Sequence, residues 1–289
     1  MVTLAQVYSA QGRIRGRVVY TPCNRSYGFS DQIPCRLFWK FENLQRTGSF
    51  KDRGALNKLL QLSDQEKGRG VVTASAGNHA QAVAHHASVL GIRATVVMPE
   101  FTPLVKVANT RAYGAEVVLQ GATLSDGLRE VYRLAEEEGF TLVHAFDDDE
   151  VIAGQGTIGL ELLEQAPELD TVIVPIGGGG IISGIATALK TLKPSMRVVG
   201  VEAAAAPSAR ESLERNEIVS LESAESLADG IAVKRIGDRT FPIIQELVDD
   251  VVTVEEEEIA RAILLLLERE RTVVEGAGAV PLAALISGK

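Results

Sequence analysis

Lys51 stands in the run Ser49-Phe50-Lys51-Asp52-Arg53-Gly54, behind a Thr47-Gly48-Ser49 turn and ahead of a helical pattern. An amine attacks a carbonyl only when it is unprotonated, so a nucleophilic lysine needs its pKa lowered by burial or by nearby positive potential. The free amides at a helix start supply such potential. The chemistry this serves is Schiff-base formation. A solvated side chain is the ordinary alternative for any single lysine.

Two further stretches could hold anions. Ser75-Ala76-Gly77-Asn78-His79 combines short polar side chains with backbone amides in one turn and suits a carboxylate. An ordinary helix cap fits the same residues equally well. Ile176-Gly177-Gly178-Gly179-Gly180-Ile181 places four glycines between a strand and a helix, which brings the backbone close to a ligand. Phosphate is its natural guest, with a flexible loop as the alternative. Gly154-Gln155-Gly156-Thr157-Ile158-Gly159 spells the dinucleotide fingerprint, but residues 147–153 separate it from any strand, and it reads as packing at a helix start. His79, His85 and His86 lack a carboxylate at metal-ligand spacing, and the acidic run 255–258 reads as a solvated helix N-terminus.

The elements that must position these residues alternate. Residues 36–42 read as a strand before Lys51, and 54–60 as the helix after it. Strands at 71–74, 94–98 and 116–119 then alternate with helices at 78–90, 103–113 and 125–138. A second series has strands at 171–175, 197–201 and 251–254, with helices at 159–165, 182–192, 241–247 and 256–269. This predicts an α/β protein of two interwoven open units with parallel sheets. Ligands in such folds bind beyond the carboxyl ends of strands, where the glycine-rich segments fall.

The chain has 289 residues, 46% of them hydrophobic, and a net charge of -9. The core is ample, and the charge argues against nucleic acid or an anionic membrane as partner. Cys23 and Cys35 have no metal-ligand spacing and suit a reducing compartment. No signal pattern opens the chain and no apolar run reaches a membrane span, so a soluble cytoplasmic protein is expected.

The lysine in SFKDRG, the turn SAGNHAQ and the loop GGGG, in this order, resemble the fold-type II pyridoxal-phosphate enzymes (the tryptophan synthase β-like class) over nearly the whole chain. Within that group the sequence looks like the threonine ammonia-lyases (threonine dehydratases) with their serine dehydratase and serine racemase relatives, also through Leu227-Ala228-Asp229-Gly230 and Val274-Glu275-Gly276-Ala277-Gly278-Ala279. The resemblance implies a small domain, 43–147, inserted in a large one formed by 1–42 and 148–289, with pyridoxal 5'-phosphate between them. It implies that Lys51 holds the cofactor covalently and later removes the substrate α-proton. Phe50 packs on the pyridine ring, Asn78 meets the 3-hydroxyl, Gly177, Gly178, Gly179, Gly180 and Ile181 cradle the phosphate, and Glu275 is a further cofactor contact. Ser75, Ala76, Gly77, Asn78 and His79 receive the substrate.

The implied reaction is β-elimination from L-threonine, with L-serine as a second substrate, to a 2-oxo acid and ammonia, in isoleucine biosynthesis or threonine catabolism. The alternatives are a serine racemase, a 3-hydroxyaspartate dehydratase-like enzyme and, from another class, a catalytically silent cofactor-binding protein. A homodimer or homotetramer is the implied assembly. The racemase relatives carry serine at the position of Ala76. Glu202 resembles a family cation ligand, but Ser208 stands where a second carboxylate is expected, so no metal is predicted. The family's closing Ser-Gly-Gly-Asn segment, whose serine meets the pyridine nitrogen, is not in this sequence; Ser287 is expected instead to end a helix. No regulatory domain, and hence no feedback control, is expected.

Overall fold

The computed structural model describes residues 1–121 and 124–289. Helix α1 (Leu4–Ile14) opens on a capping box of Thr3 and Gln6. Strand β1 (Cys23–Arg25) pairs antiparallel with β2 (Phe38–Lys40), which is shorter than the predicted 36–42 strand because only three residues find partners. Helix α2 (Lys51–Leu60) begins at Lys51 itself, three residues before the first residue of the predicted helix, with Ser49 Oγ accepting from the Lys51 amide at 3.3 Å.

After α3 (Asp64–Arg69) the predicted alternation appears as β3 (Val71–Ala74), α4 (Asn78–Val89), β4 (Ala94–Met98), α5 (Leu104–Ala112), β5 (Glu116–Leu119), α6 (Leu124–Glu137) and β6 (Thr141–Leu142). These strands form a parallel sheet in the order β5-β4-β3-β6, with Val71 opposite Ala94 and Thr141. Every residue of β3 and β4 is buried, as expected of parallel strands with helices on both faces. The remaining elements are α7 (Asp149–Gln165), β7 (Thr171–Pro175), α8 (Gly180–Leu192), β8 (Arg197–Ala203), α9 (Ser208–Arg215), α10 (Thr240–Leu247), β9 (Asp250–Val254), α11 (Glu256–Arg269) and α12 (Gly276–Ser287). They carry a parallel sheet in the order β7-β8-β9. Ser287 ends α12, and Gly288 caps it with φ +70°.

The largest departure from the sequence reading is α7. Its 17 residues start at Asp149, capped by the Asp148 carboxylate, so the fingerprint-like glycines lie in the middle of a helix rather than at its start. There they permit close packing. A Cβ on Gly154 would lie 2.6 Å from the Gly54 Cα, and one on Gly156 would lie 2.8 Å from the Gly184 carbonyl oxygen. Helix α7 is thus pressed against α2 on one side and α8 on the other. A helix buried from Val151 to Leu162 shows no apolar stripe, which is why its first half escaped the periodicity argument.

Candidate active site

Lys51 occupies the first helical position of α2, and its Nζ donates to the Ala145 carbonyl at 2.7 Å. Burial draws the amine down to about 8, while the Glu275 carboxylate pulls the other way. Burial therefore supplies the depression that sequence reasoning assigned jointly to burial and helix amides. The Phe50 ring centroid lies 5.1 Å from Nζ.

The loop between β6 and α7 gathers the predicted motifs. The Val143 carbonyl accepts from His79 Nε2 at 2.9 Å, and the Ala145 carbonyl accepts from Lys51. The Phe146 ring lies where a Cβ on Gly178 would have to go, and the Phe146 backbone would be 3.1 Å from a Cβ on Gly180. Three residues of one short segment, Val143, Ala145 and Phe146, thus touch the Ser75–His79 turn, the lysine and the glycine loop in turn. Sequence reasoning missed this segment. Its available signal was a histidine and an aromatic residue wedged between a strand and the acidic helix cap at Asp148.

Both predicted anion loops end in helix N-termini. In α8, Gly179 is the N-cap at φ +90°, a conformation glycine adopts without strain, and the ladder begins with Ser183 N donating to Gly179 O at 3.0 Å. The amides of Gly180, Ile181 and Ile182 therefore have no acceptor within the helix. In α4, Gln81 N donates to Gly77 O at 3.3 Å, which leaves the amides of Asn78, His79 and Ala80 in the same state. Ser75 Oγ accepts from Gly77 N at 3.2 Å. Ala76 is half-buried and packs on the core of the four-stranded sheet.

Asn78 and Glu275, 197 positions apart in the chain, meet directly, the amide nitrogen donating to both carboxylate oxygens at 2.8 and 3.0 Å. Burial raises the Glu275 carboxyl, although Asn78 lowers it. The His79 ring is buried; its Nδ1 has no partner among the described residues, and burial followed by the nearby Lys51 holds its pKa at about 3. A neutral ring turned toward Val143 brings no positive charge to a carboxylate, so what His79 offers an anion is its backbone amide.

Beneath the lysine, Arg53 is fully buried and donates to both oxygens of Glu42 at 2.8 and 2.7 Å and to both oxygens of Glu161 at 2.6 and 2.9 Å. Lys40 donates to Glu161 at 2.5 Å, which completes a neutral set of two cations and two carboxylates. Asp52 accepts from the amide and hydroxyl of Thr47, and His86 Nε2 lies 3.2 Å from it. Burial alone would raise Asp52, but His86 and Thr47 hold it below its ordinary value.

Glu202 lies on β8, apart from this hydrogen-bonded set. It is buried and accepts from Ala209 N and Arg210 N at 2.7 and 2.9 Å; burial raises its carboxyl to about 7. Among the described residues no group of three or more His, Cys, Asp or Glu could hold a metal ion, and no helix is long and apolar enough to cross a membrane.

The family model described as pyridoxal-phosphate dependent enzyme matches residues 14–289. The chain is 53% identical to an L-threonine ammonia-lyase of Geobacter sulfurreducens over 99% of its own length and 71% of the relative's. It is 48% identical to the catabolic L-threonine dehydratase TdcB of Escherichia coli K12, over 100% of this chain and 88% of that one. Among solved structures, a threonine deaminase of T.th. superposes with a TM-score of 0.94 at 47% identity, covering 99% of this chain and 92% of that one. Maize serine racemase gives 0.96 at 40% identity, covering 99% and 86%.

Proposed function

The chain belongs to the pyridoxal-phosphate dependent enzymes, and from that premise we propose that it converts L-threonine to a 2-oxo acid and ammonia by β-elimination of water followed by hydrolysis. Supporting this are relatives named for threonine ammonia-lyase activity that match the chain end to end. The observation that carries it is the buried amine of Lys51, lowered to about 8 and held on the Ala145 carbonyl beside two amide-bearing helix ends.

The donor set fits the cofactor. An aldehyde needs an unprotonated amine, a phosphate needs convergent amides, and a polar ring needs partners; Lys51, the Gly177 to Ile181 loop and the unpartnered His79 Nδ1 with Asn78 and Glu275 provide one of each. In this reading Lys51 and Phe50 hold the aldehyde end and ring, Gly177, Gly178, Gly179, Gly180 and Ile181 the phosphate, and Asn78 and Glu275 the ring edge. The amides of the Ser75–His79 turn hold the substrate carboxylate. When bound, pyridoxal phosphate supplies the sink for electrons released at the substrate α-carbon.

The chain's own groups do the rest. With a pKa of about 8, roughly a tenth of Lys51 is unprotonated at pH 7, so it can attack and later accept the α-proton. The amide ends hold the carboxylate so that the α-carbon faces that amine. Loss of the β-hydroxyl as water leaves an enamine, which takes up water and releases ammonia. L-Serine has the same leaving group and is the second substrate. Purified protein supplied with pyridoxal phosphate should release 2-oxo acid and ammonia in equal amounts from L-threonine. Cofactor binding without release would point to a silent binding protein, and D-serine as main product from L-serine would point to a racemase.

Ala76 favours elimination over inversion. Alanine has no exchangeable proton, so the face it borders has no hydroxyl at position 76 to return a proton, as the serine that the family resemblance implies for racemases would. Ala76→Ser is expected to produce detectable D-serine from L-serine while much of the elimination remains, as read by chiral chromatography. Substantial racemisation by the parent protein would overturn the argument. Gly178→Val should weaken cofactor affinity and cost about 1–3 kcal/mol of stability, because its side chain overlaps the Phe146 ring. Urea unfolding of the cofactor-free protein and titration with pyridoxal phosphate check the two effects separately.

The division into a small unit, 43–147, within a large one, 1–42 and 148–289, belongs to the same proposal. It is supported by apolar cores that keep to those ranges: Leu59, Val83, Val96 and Met98 cluster under one sheet, and Ile176, Ile182, Val198 and Ile244 under the other. Among the described residues, Phe50 packs from the small unit's range against the large unit's core. Assembly as a homodimer or homotetramer, and a cytoplasmic location, are also proposed; native mass measurement tests the first.

A further inference from the structure

We propose that His144 is a positioning residue for Lys51: as a neutral imidazole its Nδ1 gathers the amides of Phe146 and Asp147, which sets the Ala145 carbonyl against the lysine amine. The two bonds measure 3.3 and 2.8 Å, and Ala145 lies inside the turn they close. The same turn sets the Phe146 ring, which stacks edge-on against the His144 ring at 4.7 Å and underlies Gly178. Because Nδ1 accepts from two N–H groups, it carries no proton, and the ring proton resides on Nε2. Protonating Nδ1 would set three donors against one another and open the turn.

The surroundings favour the neutral ring. Burial lowers the His144 pKa first; Asp147 and Asp148 oppose this, and Lys51 adds to it. Those acids are already engaged. Asp147 accepts from the amides of Asp238 and Arg239, and Asp148 pairs with Lys58 at 2.6 Å. Arg239 is paired with Asp149, Tyr132 contributes a phenol rather than a charge, and the nearby His79 is neutral. A cavity of about 370 Å³ lined by Lys58, Tyr132, His144 and Arg239 gives water access to the ring. The turn is therefore closed at neutral pH and opens as pH falls through the histidine's value, which lies below the ordinary 6.5.

The inference deepens the lysine's role in the proposed function, and its test reads the cofactor-free protein as well as turnover. His144→Ala removes the acceptor; His144→Asn keeps one at similar reach, in the manner of an Asx turn, and does not titrate. In the cofactor-free protein at neutral pH, exchange of the Phe146 and Asp147 amides should accelerate roughly tenfold or more in the alanine variant and stay near parental in the asparagine variant. Opening the turn rehydrates the amine and raises its pKa toward the ordinary lysine value, so the midpoint pH for labelling of Lys51 by an amine reagent, followed by peptide mass spectrometry, should rise in the alanine variant only. In the loaded enzyme, kcat should fall about 10–100-fold in the alanine variant with KM nearly constant, and the acid limb of kcat should move to lower pH in the asparagine variant.

Unchanged amide exchange and Lys51 labelling in His144→Ala would overturn the proposal, whatever the activity. Should that variant fail to fold, His144→Asn decides alone: on stepwise acidification the Phe146 and Asp147 amides should remain protected at the pH where the parent loses protection, and equal loss in both overturns it. Failure of the parent to act on L-threonine would overturn the function and leave the exchange and labelling result standing.

Discussion

Lys51→Ala is expected to lower turnover of L-threonine by roughly 10^4-fold or more while leaving the fold in place. The amine has two duties in the proposed reaction, attack and proton removal, so its loss is not shared out among neighbours. Among the residues around it, His79 is held neutral near 3 and tied to Val143, and Glu275 is engaged with Asn78. Neither can take over. The structural consequence is small, because the substitution removes one hydrogen bond, to Ala145, and also the burden of a buried amine. The midpoint of thermal unfolding should therefore stay within about 3 °C of the parent. Absorbance of the lysine-linked cofactor and borohydride fixation report the loss of attack, and 2-oxo acid release reports the loss of turnover. Retained borohydride fixation of the cofactor to the variant protein, or turnover within tenfold of the parent, would remove Lys51 from its assigned role.

Arg53→Met should produce the largest loss of stability, about 3–5 kcal/mol. The guanidinium is fully buried and makes paired contacts to both Glu42 and Glu161. Burial alone would lower its pKa, but Glu42 and Glu161 raise it further still, so it is charged throughout. Without it, two enclosed carboxylates share the single cation of Lys40, and the neutral set becomes a buried negative charge. Lysine does not substitute, since one ammonium cannot span two carboxylates in the planar geometry of the fork. The deficit should shrink as pH falls, because protonation of a carboxylate relieves the uncompensated charge. Arg53→Met combined with Glu161→Gln should recover part of the loss, as double-mutant coupling requires. Urea unfolding at pH 7 and pH 5 measures both effects, and a deficit under 1 kcal/mol at pH 7 would mean that the buried set does not hold α2 in place.

The parts of the chain whose signal is local were legible without coordinates. The strands 71–74, 94–98, 116–119 and 171–175 were placed to the residue, because each is a short β-branched, apolar run between turn residues. Lys51, Ser75 to His79 and Gly177 to Gly180 stood out for a related reason: a nucleophilic lysine and amide-rich turns need particular residue types at adjacent positions. Where the signal is not local, reading failed. Helix α7 was cut short since uniform burial removes the amphipathic stripe, and its glycines were placed at a helix start when they are mid-helix contacts with α2 and α8. The two-residue strand β6 was too short to show a period, and α9, with only Ala209 and Leu213 apolar among its eight residues, had too few apolar positions to show one.

The sequence by itself therefore determined the α/β class, the order of the parallel strands along the chain and the three motifs that the proposed function employs, since each of these is written in contiguous residues. Only the tertiary structure decided that the Val143 to Phe146 loop joins those motifs, that burial is what lowers Lys51, and that Arg53 sits in a closed set with Glu42, Glu161 and Lys40. Those facts arise between residues as many as 121 positions apart, Lys40 and Glu161, and desolvation and Coulomb terms depend on distance in space, which chain order does not encode.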